Sequence, residues 1–190
     1  MKNLNVKSNN LESYWMPYTD NRWYKNNPRM LVKAKDMFYQ TIDGKKILDA
    51  VAGLWAVNAG HCRSKIVDAV KNQVEEMDYA LGFQMSHPKA FELSNRLSDL
   101  LPGNLDHVFF TNSGSEAVDT ALKIALAYHQ ANGDGQRTRF IGRERGYHGS
   151  GFGGTSVGGM GANRTQFNNL LNGIDHLPHT HLPNINAFSK

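Results

Sequence analysis

Cysteine is almost absent from the 190 residues. Cys62 is the only one, so no intrachain disulfide can form, a disulfide-stapled secreted fold is excluded, and a reducing, cytoplasmic compartment is the expectation. Long hydrophobic runs are also missing. The longest purely apolar stretches are a few residues, against roughly 18 for a membrane span, so no membrane partner is expected. The opening Met1-Lys2-Asn3-Leu4-Asn5-Val6-Lys7-Ser8-Asn9-Asn10 carries lysines with no apolar stretch behind them; it reads as a frayed leader and not as a secretory signal. Nor is there a strong excess of one charge: 21 Lys and Arg against 17 Asp and Glu leave +4, which permits an anionic ligand without demanding nucleic acid.

What is present suffices for a core, with 40% hydrophobic residues and a length of one domain with some surplus at about 150 residues per domain. Met37-Phe38-Tyr39-Gln40-Thr41-Ile42, then Asp43-Gly44, then Lys45-Lys46-Ile47-Leu48 is a hairpin signal. From Ser64, placed to cap, Ile66, Val67, Val70, Val74 and Met77 recur at helical spacing. A second helix starts at Pro88, runs through Ala90, Leu93, Leu97 and Leu100, and stops at Pro102-Gly103.

His107-Val108-Phe109-Phe110-Thr111 reads as a buried strand. It leads through Asn112-Ser113-Gly114-Ser115-Glu116 into a long helix that keeps the 3.6 period until Asn132-Gly133-Asp134-Gly135. Thr138-Arg139-Phe140-Ile141 is the next strand candidate, which makes the order that of a parallel βαβ unit. Of 18 glycines, 8 then fall between Gly146 and Gly161, and that stretch reads as a loop region. The segment ending at Lys190 carries no stop signal and leaves only two strands for a parallel sheet, which points to truncation.

The Ser113-Gly114-Ser115 turn is the most informative local feature. A strand feeding a helix through these residues leaves free N–H groups at a positive helix end, where phosphate binds well. Gly114 permits close approach and the two serine hydroxyls add donors. The competing reading is a capping box of Ser113 with Glu116, which uses the same donors. Tyr147-His148 lies just past the second strand, where open α/β sheets place ligands; Tyr147 either stacks on a flat cofactor there or packs locally in a surface turn. Trp55 stands among small residues, projecting from a tight turn or contributing to the core. His176, His179 and His181 resemble a metal cluster, but Pro178 and Pro183 argue against a regular element that would converge them, so no metal site is assigned. Cys62 reads as a buried or half-buried thiol. Lys123 lies eight positions past Ser115, about 12 Å along the helix axis, too far to meet a small aldehyde whose phosphate sits at the helix start.

Together these segments resemble the N-terminal part of the class III pyridoxal-phosphate aminotransferases, and among them the omega-aminotransferases. The motifs are Tyr14-Trp15-Met16-Pro17-Tyr18, Leu54-Trp55-Ala56-Val57-Asn58-Ala59-Gly60-His61, Phe83-Gln84-Met85-Ser86-His87-Pro88, Phe109-Phe110-Thr111-Asn112-Ser113-Gly114-Ser115-Glu116-Ala117 and Gly142-Arg143-Glu144-Arg145-Gly146-Tyr147-His148-Gly149. The resemblance implies a fold-type I α/β domain with a doubly wound, mostly parallel sheet, plus part of a smaller N-terminal domain. Residues 1–60 would belong to the small domain and residues 61–190 to the first part of the cofactor domain. It further implies pyridoxal 5'-phosphate as cofactor, held by Ser113, Gly114, Ser115, Tyr147 and His148. Gly114 and Ser115 would sit at the phosphate and Tyr147 on the ring. Tyr18, Trp55 and Phe83 would shape a pocket for an amine or amino acid and an oxo acid, in a homodimer or higher assembly. Family members are more than twice this length. The Schiff-base lysine and the aspartate that pairs with the pyridine nitrogen fall beyond Lys190, so no catalytic residue is assigned and the chain is expected not to turn over alone.

Two other readings compete. A non-catalytic phosphate- or nucleic-acid-binding module could use Arg137, Arg139, Arg143, Arg145 and Arg164 around Phe140, Tyr147 and Phe152, but Glu144 interrupts the basic run and no Arg-Gly-Gly repeat occurs. A non-catalytic dimerisation partner derived from the same kind of enzyme would look identical in sequence.

Overall fold

Asp20 starts the first regular element: its carboxylate accepts the Trp23 N–H at 3.2 Å, satisfying one orphan donor of α1 (Asn21–Asn26). The computed structural model describes residues 11–167 and 170–180; the N-terminal leader and His181 lie outside them. The chain divides into two units, one ending at His87 and one beginning at Pro88.

In the first unit, β1 (Leu31–Lys35), β2 (Phe38–Thr41) and β3 (Lys46–Leu48) form an antiparallel sheet in that order. The expected hairpin is β2–β3, with Phe38 opposite Leu48 and Tyr39 opposite Ile47, and the chain reverses at Gly44, where φ is +85°. β1 gives little sequence signal because all of it except Ala34 is exposed, so no apolar alternation marks it. After β3, a single helical turn, α2 (Ala52–Trp55), is left-handed, with φ of +51°, +58°, +61° and +70° at its four residues. The amphipathic helix α3 (Ser64–Glu76) follows. Its cap is Arg63 and not Ser64, which is already helical. Arg63 offers no side-chain cap and instead bonds Ala59 O at 2.7 Å and pairs with Asp36 at 2.8 Å.

The second unit opens with α4 (Pro88–Leu100), as the proline and the apolar spacing predict. The segment 107–111 departs from expectation. It belongs to no strand, and Phe109 and Phe110 are exposed. An extended apolar segment becomes a strand only when a neighbour supplies its ladder, and none does among the described residues. Helix α5 (Gly114–Ala131) then runs from its Ser113 cap to Asn132.

β4 (Phe140–Glu144) is the centre of a three-stranded parallel sheet, flanked by β5 (Gly158–Gly159) on one side and β6 (Ile174–Leu177) on the other. Between β4 and β5 lies α6 (Phe152–Val157); α7 (Gly161–Arg164) leads on toward β6. Phe140 pairs with Ile174 and Arg143 with both Leu177 and Gly158. The glycine-rich stretch is therefore no loop. It holds the most buried residues described, among them Gly153, Gly154, Ser156 and Val157. Glycine makes this possible by omitting side chains: a Cβ at Gly142 would lie 2.0 Å from Val157 O, and one at Gly159 2.1 Å from Arg143 O. The backbones of β4, α6 and β5 pack directly on one another, a close-packed arrangement that no larger residue permits. His176 is also placed differently, in a regular strand, with its Nε2 2.9 Å from Gly158 O.

Candidate functional site

Both readings of the Ser113-Gly114-Ser115 turn hold at once. Ser113 Oγ accepts the Glu116 N–H at 3.1 Å and Ser113 O accepts the Ala117 N–H at 3.0 Å, so the cap is real. The Glu116 carboxylate turns back to accept the Asn112 N–H at 2.8 Å, one residue earlier than an ordinary capping box. These contacts use the donors of the third and fourth helical residues. The Gly114 and Ser115 N–H groups, first and second in α5, have no partner among the described residues. Beyond its own helix and chain neighbours, no atom lies within 4 Å of where a Gly114 Cβ would stand. An 18-residue helix thus begins with two donors unpartnered among the described residues, at its positive pole. That cradle fits a phosphate group.

The loop after β4 closes on this turn. Arg145 has φ +65°, its N–H bonds Gly159 O at 3.0 Å, and Gly146 N–H bonds Arg143 O at 3.0 Å. Tyr147 is half exposed. His148 folds back, its Nε2 3.0 Å from where a Gly146 Cβ would be. Gly149, at φ +104°, lies so close to α5 that its Cβ would stand 2.7 Å from Ser115 Cα. Ser115 Oγ accepts the Ser150 N–H at 2.9 Å and lies 3.2 Å from Ser150 Oγ. The turn and the Tyr147-His148 loop, 32 or more residues apart in sequence, are therefore one surface. Ser150 was not legible in the sequence, since nothing in a serine within a glycine run signals a partner 35 residues earlier.

Tyr18, Trp55 and Phe83 belong to the first unit. All three are largely exposed, and no ring contact joins them among the described residues. Trp55 projects from its turn and is not core. That turn is costly, about 1–2 kcal/mol for each non-glycine residue held left-handed, and Asp49 holds it. Asp49 Oδ2 accepts the Gly53 N–H at 2.7 Å and Oδ1 the Val51 N–H at 3.2 Å. His61 Nε2 lies 2.7 Å from the same Oδ2, and both side chains are nearly inaccessible. Burial pushes the Asp49 carboxyl up, but the His61 hydrogen bond, the two N–H groups and the His61 charge outweigh it and hold the group below the ordinary aspartate value. The Tyr39 ring packs tilted against His61, with centroids 4.4 Å apart; burial first, then the Asp49 charge and hydrogen bond, raise its phenol. Cys62, expected at least half-buried, is exposed, because at φ +51° the chain turns away directly after His61.

Three of the arginines of the nucleic-acid reading have partners. Arg137 pairs with Asp134 at 3.6 Å, Arg139 Nε donates to Asp175 at 3.1 Å, and Arg164 reaches His176 at 3.5 Å. No helix among the described residues is long and apolar enough to cross a membrane, and no group of three potential metal ligands converges there.

Known proteins resemble this chain in sequence and fold. The class-III aminotransferase family model matches residues 19–187. An omega-aminotransferase of Caulobacter vibrioides is 60% identical over 174 residues, covering 92% of this chain and 40% of the relative. A beta-alanine–pyruvate aminotransferase of Pseudomonas aeruginosa is 46% identical over 181 residues, covering 95% and 40%. Among solved structures, an (S)-enantioselective omega-transaminase from Thermomicrobium roseum superposes with a TM-score of 0.84 at 34% identity, over 87% of this chain and 38% of that one. An amine transaminase from an uncultivated Pseudomonas species, in its PLP-bound form, gives 0.82 at 35% identity over 90% and 39%. The chain thus spans about 40% of the length of the relatives it matches. Its α/β architecture is the corresponding part of the transaminase fold.

Proposed function

The chain belongs to the class-III aminotransferase family, and from that premise we propose that it contributes the phosphate-binding and pocket-lining part of a cytoplasmic, homodimeric or larger omega-aminotransferase. In this reading the enzyme moves an amino group from an omega-amino acid or amine, such as β-alanine, to pyruvate or another oxo acid. Residues 1–60 are its small-domain segment and residues 61–190 the start of its cofactor domain. Pyridoxal 5'-phosphate, when bound, supplies the electron sink that lets a proton leave the carbon bearing the amine nitrogen.

The observation that carries the reading is the pair of Gly114 and Ser115 N–H groups, unpartnered among the described residues at the head of α5, with room beside Gly114. They bind the phosphate dianion, helped by the helix dipole. Ser113 keeps its capping duty and Ser115 divides its hydroxyl between the anion and Ser150. Tyr147 lies against the ring and His148 fixes the loop beneath it; Tyr18, Trp55 and Phe83 of the first unit are assigned to the substrate by the family resemblance alone. The chain brings no lysine to the reacting carbon. In this reading, and on the family resemblance, the covalent tether and the proton carrier are a lysine outside residues 1–190; Lys123, the lysine that follows the turn, is exposed and well down α5.

Titration of the chain with pyridoxal phosphate, followed by ligand absorbance and competed with inorganic phosphate, tests the reading. Ser115→Ala should weaken binding several-fold, and Ser115→Asp by at least about tenfold through like-charge repulsion. Equal affinity of all three forms would leave the turn as a helix cap and nothing more.

A further inference from the structure

Helix α6 begins without a cap of its own. Its N-cap is Gly151, which has no side chain to offer, yet its third residue, Gly154, donates its N–H to a carboxylate at 2.7 Å. That is the donor an N-cap side chain ordinarily serves. Here the acceptor is Asp119, on a different helix and 35 residues earlier. The glycines make room for it: a Cβ at Gly151 would lie 2.4 Å from Asp119 Oδ2, and one at Gly153 2.8 Å from Oδ1. Gly154 N–H is the only hydrogen-bond partner of Asp119 among the described residues. The negative charge also faces the positive end of α6.

Asp119 lies four residues after Ser115, on the same face of α5. Ser115 grips Ser150 and Asp119 grips Gly154, so a step of four along α5 matches a step of four along the facing segment. Leu122 extends the contact, its Cδ1 lying 2.9 Å from where a Gly153 Cβ would be. The Tyr147–Ser150 loop is thus held between β4 on one side and a helix pinned to α5 on the other. Release of Gly154 would loosen the first turn of α6, next to Ser150 and its bond to Ser115.

We propose that Asp119 is a positioning residue: by capping α6 from the neighbouring helix, it holds the Tyr147–Ser150 loop down on Ser115 and so keeps the two halves of the cofactor cradle in register. This rests on the cofactor reading above. Asp119 touches neither ring nor phosphate; it acts through Gly154 and the loop.

Asp119→Ala deletes the acceptor, whereas Asp119→Asn keeps an oxygen of the same reach. Two measurements on the full chain separate the possibilities: amide hydrogen exchange across residues 145–157, and pyridoxal-phosphate affinity with inorganic phosphate as competitor. Asp119→Ala should speed exchange at Ser150 and Gly154 at least tenfold and weaken the cofactor about tenfold. Asp119→Asn should restore both to within about threefold. Unchanged exchange at Ser150 in Asp119→Ala would overturn the proposal, and so would faster exchange with undiminished affinity, since the role would then be structural only. If the unmutated chain shows no phosphate-competed binding, the cofactor reading falls and the positioning role with it. A normal exchange response would then still establish the cap.

Discussion

Replacing Gly149 by alanine puts a methyl group 2.7 Å from Ser115 Cα and 2.9 Å from Ser115 Oγ, at a φ of +104°. Two costs arise. A left-handed backbone costs an L residue about 1–2 kcal/mol, and φ +104° lies beyond the αL well near +57°, so the upper end applies. The contact itself cannot be relieved by a rotamer, because its nearest atom is helix backbone. The loop must rise instead, and the Ser150 N–H to Ser115 Oγ bond at 2.9 Å is lost, a further net 1 kcal/mol or so. Together these amount to about 2–3 kcal/mol against the closed loop, roughly a 30- to 150-fold change in its opening equilibrium. Amide exchange at Ser150 reads this directly, and pyridoxal-phosphate affinity should fall in parallel. Far-ultraviolet circular dichroism should be almost unchanged, because α5 and β4 do not depend on the loop. Protection at Ser150 within threefold of the unmutated chain would refute the reasoning, since the methyl group would then have found room that the geometry denies it.

The Asp49 carboxyl should titrate below the ordinary aspartate range. Because its folded value is depressed, it stabilises the Trp55 turn fully above the unfolded pKa of about 3.9 and ceases to as pH falls through the lower folded value; a carbon-13 titration with a midpoint at or above 3.9 would contradict the geometry. Borohydride treatment of the chain with pyridoxal phosphate, followed by intact mass measurement, should give no stoichiometric adduct on any single lysine; a specific adduct on Lys123 or another lysine would show that the chain carries its own tether. The exposed apolar residues Phe109 and Phe110, and Ile66, Val70 and Val74 along α3, should bind a hydrophobic dye and make the isolated chain associate with rising concentration. A dye-silent monomer with one cooperative thermal transition would count against that.

The parts legible in the sequence are those whose physics is carried by side chains. α4 and α5 announce themselves by apolar spacing and by Pro88 and Ser113 at their starts, and the turn between Asn112 and Glu116 is readable because capping chemistry is local. The hairpin is readable from Asp43-Gly44. What stayed hidden is carried by backbone. Glycines 151, 153, 154, 158 and 159 leave no periodicity, yet their missing side chains let α6 and β5 pack on β4, so a stretch that scans as loop is the most buried part of the structure. The segment 107–111 fails in the opposite sense: its composition is that of a strand, but a strand is a property of two segments. Ser150 and Asp119 escaped because their partners lie 35 residues away, although the spacing of Ser115 and Asp119 on one helical face was available as a clue.

The left-handed turn at Ala52–Trp55 reverses the usual rules for which residues a position accepts. In an ordinary helix alanine is the mildest replacement and glycine a poor one; here glycine, asparagine and aspartate are the tolerated choices, and β-branched residues are the worst. A change at Trp55 is consequently two experiments in one. Trp55→Gly empties space and also relaxes the backbone, whereas Trp55→Val empties less space and sets the side chain against its own main chain. An effect of a glycine substitution there cannot be credited to side-chain volume alone, and Trp55→Asn, polar but comfortable at φ +70°, is the control that separates side-chain volume from turn geometry.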